Sequence, residues 1–183
     1  MMSQGTVNVD DFGAKGDGSD DREAFKKAWN EACSKGAILV VPNRIYRLKP
    51  ITFSGPCQPN TAFMLYGTIE AWPQMSAYEE DKLHWIVFDS VSNFKVDGGG
   101  TFNGNGKKWW QNSCKYSNNN LAVTFYDCKN LRVKNLSIGS LGADKSEAEV
   151  SNVIVNRATL TGTTNGVRIK TWQLNFPQSS SLD

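Results

Sequence analysis

The spacing of apolar residues predicts one helix near the start of the chain. Between Asp20 and Lys35, apolar positions recur at intervals of one and three or four residues, which is typical of an amphipathic helix over 20–35. Asp20 can cap this helix, Glu23 completes a capping box, and Gly36 suits the left-handed position after its end. The apolar positions are Ala24, Phe25, Ala28, Trp29 and Ala32. So narrow an apolar face favours a helix that caps one end of a larger core.

After Ala37 the pattern changes to short runs rich in Val, Ile, Phe and Thr, separated by turn residues, which predict strands. A second amphipathic helix is not evident, and this disfavours folds that alternate strands with helices. The predicted strands are Ile38 to Val41, Phe63 to Tyr66, Trp85 to Val91, Ala122 to Tyr126, Leu131 to Asn135, Val150 to Val155 and Gly166 to Lys170.

An internal repeat indicates how these strands are arranged. Asn93, Asn130 and Asn152 each begin the pattern Asn, apolar, any residue, Val, and Asn152 follows Asn130 by 22 residues. The gap of 37 residues before Asn130 contains an additional loop, Gly104 to Tyr116. This is the spacing of solenoid coils, and repeated Asn residues at turns can form hydrogen-bonded ladders. We therefore predict an all-β, right-handed parallel β-helix with a short N-terminal capping helix; the alternative is an antiparallel sandwich, although tight hairpin signals are scarce.

Charge and hydropathy give no sign of a nucleic-acid or membrane partner. A formal net charge of +2 and a pI near 8.3 select neither nucleic acid nor pectin as a partner, and no nucleic-acid motif accompanies the scattered basic residues. The densest basic cluster, Arg44 to Lys49, alternates with apolar residues, as on the solvated face of a strand. No apolar run approaches the roughly 20 residues that a membrane-spanning helix needs. We expect neither a nucleic-acid nor a membrane partner.

The four cysteines suit an oxidised, secreted protein more than a zinc site. Cys33, Cys57, Cys114 and Cys128 lack paired close spacing, and their even number allows two disulfides in three connectivities. Local pairs, Cys33 with Cys57 and Cys114 with Cys128, would close short loops; buried free thiols are the alternative. The chain as written opens at Met1 without the charged and apolar stretches of a signal peptide, which makes secretion of this form doubtful.

Three blocks of sequence carry a family resemblance. They are Val9-Asp10-Asp11-Phe12-Gly13-Ala14-Lys15-Gly16-Asp17-Gly18, then Val96 to Gly104 with Trp109-Trp110, and Ile138-Gly139-Ser140-Leu141-Gly142 with the run from Val150 through Trp172. Together they resemble polygalacturonases of glycoside hydrolase family 28. The resemblance implies one β-helix domain over 1–173, followed by a divergent polar tail at 174–183.

Within those blocks most polar and aromatic residues are expected to be structural. The glycines of the opening block permit tight turns, and Asp10, Asp11 and Asp17 can bond local backbone. Trp109 and Trp110 are more readily explained as loop anchors than as sugar-stacking platforms.

The catalytic part of the family pattern does not match. Family members carry, in order, N-T-D, D-D, G-H-G immediately before I-S-I-G-S-L-G, and R-I-K; of these catalytic and binding motifs, only R-I-K is matched in its place, by Arg168-Ile169-Lys170. Several coils are skipped at a join between Leu131 and Ile138. The lone histidine, His84, does not lie between glycines and is expected to be a packed or surface residue. Acids near the join, Asp127, Asp144, Glu147 and Glu149, match no motif position.

The resemblance implies inverting hydrolysis of α-1,4-galacturonan in pectin, which needs one carboxylic acid and one carboxylate that activates water. Without the motifs, we predict a shortened relative with no catalytic residues, impaired in hydrolysis and binding galacturonan weakly through Arg168 and Lys170. Neither a metal nor an organic cofactor is implied, and the family location is the cell wall. Two alternatives are an interaction module whose open β-helix end pairs with a full-length relative, and a gene product without function.

Overall fold

The structure, a computed structural model, describes residues 4–80, 84–105, 121–134 and 137–139. One α-helix, α1, spans Arg22–Lys35, and short 3-10 turns occur at Val9–Phe12 and Met75–Tyr78. The strands in these ranges are β1 (Thr6–Asn8), β2 (Ile38–Val41), β3 (Ile45–Leu48), β4 (Ile51–Ser54), β5 (Ala62–Leu65), β6 (Thr68–Ala71), β7 (His84–Asp89), β8 (Lys95–Asp97), β9 (Thr101–Asn103), β10 (Leu121–Tyr126), β11 (Arg132–Val133) and β12 (Ser137–Gly139).

The strands form three parallel sheets that the chain visits in turn. The first sheet has the order β1-β2-β5-β8-β11, the second β12-β9-β6-β3, and the third β10-β7-β4. Each coil therefore contributes one strand to each sheet and then stacks on the coil before it. This arrangement is a parallel β-helix, as the repeat predicted, and it rules out the antiparallel sandwich for the described part of the chain.

Stacked apolar side chains fill the interior of the coils. Phe53, Phe88 and Phe125 occupy equivalent positions on β4, β7 and β10, and each adjacent pair of rings stacks with centroids 5.1 Å apart. Phe63 crosses this column edge-on, with centroids 5.4 Å from Phe88. Because offset and edge-to-face aromatic contacts add to the free energy of apolar burial, this column is the main packing element of the core.

Helix α1 covers the N-terminal end of the coils, as predicted. Phe25 and Trp29 are buried, and the Trp29 ring packs 5.3 Å from the Phe53 ring. The Trp29 indole Nε1 donates to the Ser54 carbonyl at 2.9 Å, which satisfies an acceptor at the end of edge strand β4. A disulfide between Cys33 and Cys57 ties the end of the helix to the following coil. The helix is therefore held by packing, a hydrogen bond and a covalent link.

The start of α1 differs from the prediction by two residues. The helix begins at Arg22 with Asp21 at the N-cap position. The Asp21 carboxylate is occupied by the preceding loop, where it accepts from the Lys15 and Gly16 amides at 2.7 and 3.1 Å. Asp20 Oδ1 accepts from the Arg22 amide at 3.1 Å, so it assists the first turn without being the N-cap.

The predicted capping box is not formed. Glu23 Oε1 instead lies 3.6 Å from Arg22 Nε and 3.7 Å from Lys26 Nζ, because neighbouring cations attract the carboxylate along the exposed helix surface. Gly36 does end the helix with φ of +65°, as predicted, and its amide donates to the Ala32 carbonyl.

Among the connectivities that the sequence leaves open, the structure forms the local pair Cys33–Cys57. Cys128 is a buried free thiol whose sulfur contacts the Phe88 and Tyr126 carbonyls. Cys114 lies outside the described residues. Within the described ranges no helix is long and apolar enough to cross a membrane.

Candidate functional site

The residues predicted to bind substrate, Arg168 and Lys170, lie outside the described residues. So do the strands predicted at 150–155 and 166–170, and Trp109 and Trp110. The outward faces of the described coils differ in their charges and hydrogen-bonding groups.

The carboxylates of the opening block are structural, as expected. Asp10 Oδ1 accepts from the Tyr46 hydroxyl at 2.7 Å, and Asp10 Oδ2 accepts from Arg44 Nη1 at 2.9 Å. Burial, and secondly the bond to Asp10, raise the pKa of Tyr46 well above its ordinary value. Asp17 accepts from the amide and hydroxyl of Ser19, and the hydroxyl bond lowers the pKa of Asp17. Asp10 and Asp17 therefore hold the local structure of the opening block, as expected.

The outer face of the second sheet carries a row of neutralised charges. Arg47 on β3 and Glu70 on β6 are in register, with Arg47 Nε 2.6 Å from Glu70 Oε2. Asn103 on β9 continues the row, with its amide nitrogen 3.5 Å from Glu70 Oε1. The predicted solvated strand face near Arg44 to Lys49 is thus present, but its cations are paired: Arg47 with Glu70 across the sheet, and Arg44 and Lys49 with Asp10 and Asp20. This face is poorly suited to a charged ligand.

The outer face of the third sheet presents a row that could not be identified from sequence. Ser54, Asp89 and Tyr126 are in register on β4, β7 and β10, and the Tyr126 ring is 66% exposed. Asp89 Oδ1 accepts from the Ser90 hydroxyl at 2.7 Å. An exposed phenol beside a carboxylate and a hydroxyl is a surface on which a sugar ring can stack and form hydrogen bonds. The unequal lengths of the coils hide this alignment in the sequence.

Two carboxylates lie close to the end of that row. Asp89 is the last residue of β7, and Asp127 directly follows Tyr126, the last residue of β10. Burial raises the pKa of the Cys128 thiol, and the charges of Asp89 and Asp127 raise it further. Asp127 adopts a left-handed backbone conformation with φ of +44° at the turn after β10. Asp89 and Asp127 are therefore the described acids to test for any residual acid and base chemistry.

His84 lies at the start of β7, in register with Leu121, and is half-buried. This placement agrees with the interpretation of His84 as a packed or surface residue of an early coil. In the described ranges, no group of three or more His, Cys, Asp and Glu side chains could hold a metal ion.

Solved structures with a similar fold indicate the class of protein. A solved structure of "a hyperthermoactive Exopolygalacturonase from Thermotoga maritima" matches with a TM-score of 0.56 and 23% identity, covering 75% of this chain and 42% of that one. An iota-carrageenase complexed to iota-carrageenan fragments matches with a TM-score of 0.51 and 22% identity, covering 75% and 30%. At these identities the matches support the parallel β-helix fold.

Sequence comparison then gives the family. The description "Glycosyl hydrolases family 28" matches residues 33–138 and 135–181. The chain is 40% identical over 259 residues to "Polygalacturonase QRT2" of Arabidopsis thaliana, covering 92% of this chain and 59% of the relative. It is 37% identical over 267 residues to "Polygalacturonase-2" of Solanum lycopersicum, covering 96% and 58%. The chain belongs to glycosyl hydrolases family 28.

These matches also show that the chain is shortened relative to its relatives, of which it spans less than two thirds. The aligned length of 259 residues exceeds the 183 residues of this chain, so residues of the relative stand opposite gaps. The two family segments meet at 135–138, inside the predicted join between Leu131 and Ile138. Across this region β11 pairs with β8 and β12 pairs with β9, so the solenoid register continues on both sides of the join.

Proposed function

We propose that this chain is a polygalacturonase relative that binds galacturonan but has lost the ability to hydrolyse it. The observation that carries the proposal is the meeting of two family segments at 135–138. Leu136 to Gly142 align with I-S-I-G-S-L-G, and the three residues before them are Val133-Lys134-Asn135, where the family pattern has G-H-G. The N-T-D and D-D motifs would directly precede this position in the family order. No N-T-D occurs in the chain, and its two Asp-Asp pairs, Asp10-Asp11 and Asp20-Asp21, lie in the opening block and at the start of α1.

The chemistry of the family makes this loss decisive. Inverting hydrolysis needs two carboxyl groups about 6.5–9.5 Å apart on opposite sides of the scissile bond. Proton transfer by such groups contributes about 10² to 10⁴ in rate. Asp10 and Glu70 are engaged in ion pairs that hold the coils together. Binding alone cannot replace the missing proton transfers, so we expect a chain that holds substrate without cleaving it.

The proposed contacts to substrate come from Arg168 and Lys170. Two residues apart on a strand, they would face the same side, where Arg can form a bidentate fork to a uronate carboxylate and Lys a point charge. The relatives' names support galacturonan as the polymer that these cations meet.

We place the protein's action in the cell wall, by extension from its family. The Cys33–Cys57 disulfide supports an oxidising compartment, because such bonds are rare where thiols are kept reduced.

The binding half of the proposal is tested by affinity electrophoresis of the purified chain in gels that contain de-esterified polygalacturonan. We expect slower migration of the parent, and less retardation of Arg168→Ala and Lys170→Ala. Lys26→Ala, which removes an exposed cation from α1, is the matched control and should migrate as the parent does. Retardation of Arg168→Ala equal to that of the parent would contradict the proposed role of Arg168.

A further inference from the structure

Strand β11 places two cations on the outer face of the first sheet. Val133 packs against the core, so its neighbours Arg132 and Lys134 lie on the opposite face of the strand. Arg132 is exposed and Lys134 is half-buried. The order cation, apolar residue, cation is also that of Arg168-Ile169-Lys170, and on a strand it directs both charges to one side.

The parallel register brings further positive charge to this position. Lys95 on β8 is in register with Arg132, and neighbouring strands lie about 4.8 Å apart. Lys129 is exposed at the turn before β11. Lys95 Nζ lies 2.8 Å from Asp97 Oδ2, whereas the described part of the chain offers no salt bridge to Arg132, Lys129 or Lys134. We call Lys95, Lys129, Arg132 and Lys134 the β11 cation patch.

Asp97 offsets only part of this charge. Its Oδ2 lies 2.8 Å from Lys95 Nζ, so Lys95 is already paired. The second sheet pairs its cation across strands, because Arg47 stands opposite Glu70 at 2.6 Å. Arg132 stands opposite Lys95 and has no such carboxylate among the described residues. An anionic ligand would offset the charges of Arg132 and Lys134.

We propose that the β11 cation patch binds the carboxylates of a polyuronide, in addition to the contacts proposed for Arg168 and Lys170. The inference rests on the proposed function, which supplies galacturonan as the polyanion. A polymer with a carboxylate on every sugar can meet several cations of the patch at once, and each further contact is then intramolecular. Arg132 supplies a fork for one carboxylate, and Lys134 supplies a point charge for the next.

The test is the retention of the double variant R132Q/K134Q on immobilised de-esterified polygalacturonan at low salt. Exposed ion pairs are individually weak, so we expect roughly three- to tenfold weaker binding than the parent. The matched control is K26Q/K27Q, which removes two exposed cations from α1 and should bind as the parent does. The thermal midpoint of R132Q/K134Q should stay close to that of the parent, because neither residue forms a salt bridge in the described part of the chain.

Unchanged binding by R132Q/K134Q would overturn the proposal that the β11 cation patch binds polyuronide. Equal losses of binding in R132Q/K134Q and K26Q/K27Q would also overturn it, because the net charge of the chain would then explain the loss. If R168A/K170A loses binding while R132Q/K134Q does not, the proposed function stands and the patch fails. Failure of the parent to bind contradicts both proposals. Equal retention of the parent on duplex DNA would overturn the assignment to uronates, whereas selective retention on polygalacturonan supports it.

Discussion

The side-chain amide of Asn130 donates to Asn93 Oδ1 at 2.9 Å, across two successive coils. Both residues adopt the left-handed conformation, with φ of +52° and +53°, at the turns that follow β10 and β7. The contact is the hydrogen-bonded ladder that the Asn repeat predicted. It joins two turns whose backbone conformation itself disfavours most side chains.

Replacing Asn130 with Ala should lower the free energy of unfolding by about 1–2 kcal/mol, since the change removes the hydrogen bond and places Ala in a left-handed conformation. Asn130→Gly loses the bond but adopts that conformation freely, so its loss should be smaller. Urea denaturation measures both. Equal losses in the two variants would show that the backbone conformation of this turn contributes little.

Replacing Phe88 with Ala should lower the free energy of unfolding by about 3–5 kcal/mol, because its ring lies in the middle of the aromatic column and is fully buried. Phe125 is partly buried at the other end of the described column, so Phe125→Ala should cost less. Urea denaturation of the two variants compares them. A smaller loss for Phe88→Ala than for Phe125→Ala would contradict the assignment of the column as the main packing element.

Gly36→Ala should be more destabilising than Gly13→Ala, although both glycines have positive φ. A Cβ at Gly36 would lie 2.3 Å from the Pro59 carbonyl oxygen, whereas one at Gly13 would meet nothing within 4 Å. We expect the free energy of unfolding to fall by about 1 kcal/mol in Gly13→Ala and by about 2–4 kcal/mol in Gly36→Ala, as measured by thermal unfolding. Similar values would mean that the helix end shifts away from Pro59 at little cost.

The raised pKa of Tyr46 predicts that the free energy of unfolding falls at high pH. Its pKa is raised in the folded state by burial and by Asp10, so the unfolded chain releases the phenol proton first, near the ordinary value of 10.0. The contribution of the protonated Tyr46 phenol to the free energy of unfolding is therefore complete below pH 10 and is lost as the pH rises above 10. Tyr46→Phe should flatten this alkaline decline, and Tyr66→Phe, which changes an exposed ring, should follow the parent. Parallel declines in all three proteins, in chemical denaturation between pH 9 and pH 11, would contradict the prediction.

The sequence predicted the solenoid because its longest strands are apolar and its turns repeat Asn. Ile38–Val41 was predicted with the observed bounds, but seven strands were missed: β1, β3, β4, β6, β8, β9 and β12. All seven are only three or four residues long, and β3, β6 and β8 alternate Arg47, Glu70 or Lys95 with buried residues, so they resemble loops. The prediction of Asp20 as the N-cap was wrong, because Asp21 occupies that position. The Asp21 carboxylate accepts from the Lys15 and Gly16 amides, and this contact depends on tertiary structure.

The candidate surfaces were less predictable than the fold. Ser54, Asp89 and Tyr126 align only once the register between coils of unequal length is known. The same is true of Lys95 and Arg132. The spacing of Arg168 and Lys170 is visible in one strand, but their surroundings lie outside the described residues and their role stays a prediction.

The most direct test of the central claim is the release of new reducing ends from de-esterified polygalacturonan by the purified, folded chain. We predict no release above the background of the double variant Asp89→Asn/Asp127→Asn, with a full-length polygalacturonase as the positive control. Release by the parent that disappears in this double variant, or in Arg168→Ala, would contradict the loss of hydrolysis and would identify the residues that replaced the missing motifs.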